Sequence, residues 1–121
     1  MSKYSSKTCR NTVLLVLVSC PDDFAEQLAG ELVESRLASC INILAGVKSL
    51  YRWKGKVERD TESLMLIKCT ADNYPGLQAR ILDSHPYELP EIVTVSELGG
   101  LKEYLEWVVD PDKTKEPNDD D

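Results

Sequence analysis

A chain of 121 residues, 42% hydrophobic and 29% charged, has the size and composition of one globular domain with a core of its own. Its formal net charge is −7, but residues 110–121 hold six acids and two bases and so carry −4 of that total. The body is left only mildly acidic, which argues against nucleic acid or an anionic membrane as the main partner.

Residues 1–11 read as a flexible lead-in, residues 12–109 as a single domain and residues 110–121 as a disordered acidic tail. The segment "KTCRNTVLLVLVSC" has the basic residues, apolar run and cysteine of a lipoprotein signal, yet the run Val13–Val18 is short for a signal core. Its leucines and β-branched residues instead predict a strand over Thr12–Cys20, apolar enough to be buried on both faces. "PDDFAEQLAGELVESRLAS" follows, with Asp23 and Glu26 placed as a capping box and Phe24, Leu28, Leu32 and Val33 at helical spacing. An amphipathic helix is expected there.

Two β-rich arms, 40–53 and 57–69, flank Lys54–Gly55–Lys56, a hairpin signal in which glycine supplies positive φ. Val47, Ser49, Tyr51 and Trp53 alternate onto one face, and Gly46 is expected at a bulge or bend. A straight arm of this length spans roughly 46 Å, against a diameter of roughly 35 Å for a domain of this size. The ribbon must therefore bend or pack on another subunit, and its tip aromatics favour the second course, an oligomer.

A second helix is expected over Asp72–Ser84, capped by Asp72 or Asn73 and stopped at His85 by Pro86. Pro90–Leu98 reads as a strand, Gly99–Gly100 as a break, and "LKEYLEWVV" as a terminal helix with Leu101, Tyr104, Leu105 and Val108 on one side. The order β-α-β-β-α-β plus a helix predicts an α+β, ferredoxin-like antiparallel sheet with a long β-hairpin.

The four cysteines, Cys9, Cys20, Cys40 and Cys69, form no CxxC pair, so zinc-knuckle and thioredoxin chemistry are not expected. A domain with this much core needs no disulfides, which predicts a reducing, cytoplasmic setting. No GxSxG, phosphate-binding loop or dinucleotide glycine pattern occurs, and a Cys40–His85 dyad alone is a weak nucleophile signal, so no enzyme is expected.

"SLYRWKGKVE", "LMLIKCT", "SHPYELPEI" and "YLEWV", in that order on that topology, resemble the CutA family of divalent-cation tolerance proteins. "VSCPD" and "LASCINI" resemble the family's first strand end and second strand start, so the likeness runs from about Val13 to Val109. It implies a tight homotrimer related in architecture to PII signalling proteins, a role in the response to metal ions, and binding of copper or another divalent metal. The matching candidate ligands are Cys40 and His85, while further cysteines in the copper sites proposed for some relatives fall on Val18 and Arg80 here.

For Cys40 the competing role is a small core residue, and for His85 a structural histidine tying the helix end to the next strand. An intersubunit pocket or interface is expected from Tyr51, Trp53, His85, Tyr87 and Glu91, with a basic partner for Glu91 in Lys68 or Arg52. A PII-like small-ligand module and a passive assembly scaffold are the alternative functions.

Overall fold

The computed structural model describes residues 12–113. Cys9, the expected lead-in over 1–11 and the end of the acidic tail, 114–121, lie outside the described residues. The elements are β1 (Val13–Cys20), α1 (Asp22–Glu34), β2 (Cys40–Trp53), β3 (Lys56–Thr70), α2 (Tyr74–Ser84), β4 (Ile92–Val95) and α3 (Lys102–Val109). The strands form one sheet in the order β2-β3-β1-β4, antiparallel throughout. This is the expected ferredoxin-like α+β arrangement, with α1 and α2 as the crossovers between strands that are not neighbours.

β1 is central because both of its faces are apolar. Leu14, Val16, Val18 and Cys20 meet Leu28 and Leu32 of α1 and Leu77 and Ile81 of α2 in the core. Met65, Ile67 and Cys69 of β3 complete that layer. The other sheet face, with Leu15 and Leu17 beside Leu66 and Val93, carries no helix over its centre. α3 packs at one end of β1 and β3, where Val108 is buried and the Ser39 hydroxyl donates to the Val108 carbonyl.

The hairpin turn is two residues long: Trp53 pairs with Lys56, and Lys54 and Gly55 both have positive φ, 51° and 83°. Positive φ at both central residues is the mark of the type I′ turn, whose twist matches the strands. Register shifts between Leu44 and Val47, where Ala45 and Gly46 face the single residue Ser63. Gly46 takes φ +73°, so the expected bulge is present and its glycine is required by the backbone. Beyond the bulge, β1 no longer accompanies β3, and residues 47–62 continue as a two-stranded ribbon.

Several local expectations change. α1 starts at Asp22 after Pro21, with no side-chain cap, and Asp23 and Glu26 form no capping box. Asp22 accepts instead from the Ser63 hydroxyl at 2.6 Å and the Gly46 N–H at 3.4 Å, so the carboxylate at the helix start ties down the bulge. The helix ends in a Schellman motif: Leu37 N–H bonds the Leu32 carbonyl, Arg36 N–H bonds the Val33 carbonyl, and Arg36 takes φ +65° where glycine is usual. Val33 and Leu101 turn out exposed, the latter at 70%. α2 begins at Tyr74 without a side-chain cap, the Asn73 amide donating to the Arg36 carbonyl instead, and stops at an extended His85 as the following proline requires. β4 covers only Ile92–Val95 of the expected Pro90–Leu98, since Pro90 lacks a donor and Glu97 turns to φ +58°.

Candidate functional site

The corner between α2 and β4, "HPYELPE", lies against the ribbon. Pro86 and Pro90 restrict its backbone, and His85 anchors it from behind. His85 is buried, with Nε2 at 2.7 Å from the Ser19 carbonyl and Nδ1 accepting the Tyr87 N–H at 3.1 Å. The first contact requires an N–H on Nε2 and the second a lone pair on Nδ1, so the geometry assigns the neutral Nε2–H tautomer. Edge-on contact with Phe24, 6.3 Å between centroids, and a tilted contact with Tyr87 at 4.7 Å complete its surroundings.

His85 thereby sets Tyr87 into the wall of a cavity of about 680 Å³ between the ribbon and the corner. Of the residues nominated for an intersubunit pocket, Tyr51, Trp53, Tyr87 and Glu91 line this one cavity within a single chain. His85 is not among the lining residues of this cavity; it stands behind Tyr87 and supports it. Arg52, expected only as a partner for Glu91, also lines the space, as do Ser19, Lys48, Glu62 and Glu88, which were not singled out from sequence. Glu62 was legible only through register: it pairs with Val47, which places it on the Tyr51–Trp53 face once the bulge is known.

The cavity is acidic on the side that holds its aromatic rings. Glu62 is buried at 4% exposure, and Glu91 accepts from the Ser19 hydroxyl at 3.3 Å, not from Lys68 or Arg52 as expected. Lys68 is engaged with Asn42. The Tyr51 hydroxyl donates to Asp60, and that bond, ahead of burial and nearby carboxylates, pushes its phenol up to about 12. Tyr87 is also pushed up to about 12, by burial first and then by the Glu62 and Asp60 carboxylates. At the rim, Lys54 Nζ sits 5.6 Å from the Trp53 ring centroid and 3.8 Å from Glu88.

The two metal candidates do not come together within the chain. Cys40 pairs with Lys68, and Lys68 with Leu15, whereas His85 holds Ser19; the two rows are four residues apart along β1. That is roughly 13 Å, against a few ångströms between ligands of one ion. The same separation rules out a Cys40–His85 dyad within one chain. No group of three or more His, Cys, Asp or Glu side chains among the described residues is placed to hold a metal. Cys20 and Cys69 are buried, and burial pushes both thiols up to about 11, away from the thiolate a metal needs; Glu62 and Asp22 add to the effect at Cys20. Cys40 is half-buried beside Tyr104, whose phenol is raised by burial and by this thiol. A wider depression along Glu97–Gly100 and α3 contains none of the nominated residues.

The CutA1 family model, described as the CutA1 divalent ion tolerance protein, matches residues 14–111. The chain is 44% identical over 95 residues to the divalent-cation tolerance protein CutA of Thermus thermophilus, covering 78% of this chain and 92% of that protein. The solved structure of the divalent cation tolerance protein Cut A1 from Thermus thermophilus superposes with a TM-score of 0.77 at 43% identity, over 79% of this chain and 94% of that one. The PII-like protein CutA from Nostoc sp. PCC 7120, solved in apo form, gives 0.73 at 34% identity over 80% and 92%. With its folded body matched from β1 to the end of α3, this chain belongs to the CutA1 divalent ion tolerance protein family.

Proposed function

We propose that this protein serves divalent-cation tolerance as a homotrimeric small-ligand module whose working site is the cavity between ribbon and corner. The observation that carries this reading is the cavity itself: Tyr51, Trp53, Tyr87 and Glu91 converge on one space of about 680 Å³. Such a volume suits a small molecule, and the mix of aromatic wall with a few polar groups is that of a ligand site. The PII-like description of the Nostoc relative supports the same direction. A thermal-shift screen of the parent and Trp53→Ala against metabolites tests it. A ligand that raises the melting temperature of the parent alone is expected, and silence across a broad set counts against the reading.

The trimer is supported by the unaccompanied ribbon over residues 47–62 and by the uncovered apolar face of the sheet. A reducing, cytoplasmic setting fits Cys20, Cys40 and Cys69, which are free thiols among the described residues. A second reading, direct copper binding, is favoured by one observation only: Cys40 is half-buried at the start of β2, an edge strand that another copy can approach. Titration of metal-free protein with Cu(I) and Cu(II), beside Cys40→Ala and His85→Ala, tests this. If both variants bind as the parent does, those residues are not the ligands.

A further inference from the structure

Glu62 is the one carboxylate among the described residues that is almost fully buried, at 4% exposure. Its side-chain carboxylate makes no hydrogen bond or ion pair with any other described residue. No fully sealed side-chain oxygen among the described residues lacks a partner, so the unpaired oxygens of Glu62 remain reachable from the cavity it lines. A carboxylate withdrawn from water without a donor is costly, and a fold that keeps one has a use for a cation there.

The cavity's surroundings say which kind of cation. Directly opposed residues of an antiparallel pair share a face, so Glu62, with Val47, stands on the face of Tyr51 and Trp53. Lys48 and Arg52 line the cavity too, but from the other face of β2. The face that carries Glu62 is acid and aromatic. A hard divalent ion wants six or more oxygens, and no group of three or more acidic, His or Cys side chains among the described residues is placed to supply them. Rings beside a desolvated carboxylate suit an ammonium group, which is attracted to both. Trp53 already shows the affinity: the Lys54 ammonium lies over its ring at 5.6 Å.

We infer that the cavity binds a small organic ammonium ion, its cationic head on the carboxylates of Glu62 and Glu91 and its apolar body against Tyr51, Trp53 and Tyr87. This rests on the cavity being a ligand site, as proposed above, and adds the class of ligand. The raised phenol of Tyr87 agrees with it: burial is the main cause, and the negative field of Glu62 and Asp60 that adds to it also draws a cation.

The test uses the full chain and three probes of one shape: 2-phenylethylammonium, neutral 2-phenylethanol and anionic phenylacetate. Binding is followed by the indole N–H resonances of the two tryptophans, Trp53 and Trp107. Saturable binding of the ammonium is expected, with a shift at Trp53 and affinity at least tenfold above the alcohol and phenylacetate. Glu62→Gln, checked for folding by circular dichroism, should weaken the ammonium at least tenfold and leave the alcohol unchanged; Glu91→Gln should act in the same direction. If the alcohol binds as tightly as the ammonium, or Glu62→Gln changes nothing, the ammonium assignment is overturned while the cavity stands as a ligand site. If none of the three binds, or if the assembled protein shows a basic side chain of a neighbouring copy seated on Glu62, the cavity reading falls with it.

Discussion

The Nε2–H of His85 donates to the main-chain carbonyl of Ser19 at 2.7 Å, fastening the end of α2 to the end of β1. Nδ1 accepts the Tyr87 N–H, so the ring is held at both of its nitrogens. His85→Ala leaves the Ser19 carbonyl and the Tyr87 N–H without these partners. A loss of about 1–3 kcal/mol is expected, read by urea unfolding at fixed chain concentration. A variant as stable as the parent would show that the corner is held by something other than this ring.

Alkaline stability follows from the buried thiols. Cys20 and Cys69 stand near 11 in the folded chain against an ordinary 9.0. Between these values the unfolded chain releases a proton that the folded chain keeps, so folding stability falls as pH rises. The contribution is fully present below about pH 9 and lost as pH climbs through about 11, up to about 3 kcal/mol per thiol. Melting temperatures recorded from pH 8 to 11 should decline, and Cys20→Ala should flatten the decline even though its cavity lowers the whole curve. An unchanged slope in that variant would assign the decline to other groups, such as the raised tyrosines.

Arg36 holds the left-handed position that ends α1, at φ +65°. Its side chain pairs with Asp112, but both groups are well exposed and such pairs contribute little. Arg36→Ala loses the pair and keeps the strained backbone; Arg36→Gly loses the pair and removes the strain. The glycine variant should therefore exceed the alanine variant by about 1 kcal/mol, measured by denaturant midpoint. Equal midpoints would mean that the turn shifts to another geometry when its side chain is shortened.

Element order, the Lys54–Gly55 turn, the bulge at Gly46 and the stop at His85 were all legible in the sequence, because each rests on a residue whose backbone leaves few choices. Asp22 was not. A carboxylate beside a helix start looks like a cap, and only the tertiary fold shows that Ser63 and Gly46 claim it. Glu62 was hidden for a related reason: its neighbours Val47, Tyr51 and Tyr87 come from two other elements, and the pairing register that gathers them depends on one extra residue in β2. Tyr51, Trp53, Tyr87 and Glu91 were found together because aromatics and rigid corners announce contact surfaces, whereas a lone strand glutamate announces only solvent.

The uncovered face of the sheet tests assembly. Val93 and Val95 on β4 are 47% and 40% exposed, and Val93 pairs with Leu17, which in turn pairs with Leu66. Apolar side chains in one continuous exposed patch mark an interface more often than a free surface. Val93→Lys places a charge in that patch while touching nothing of the helix-side core, so the isolated chain should keep its fold. The expected result is a parent that sediments as a trimer at micromolar concentration and a variant that sediments as a monomer with the parent's circular dichroism. A parent that is itself monomeric would remove the trimer from the proposed function, and a trimeric variant would move the interface to the ribbon alone.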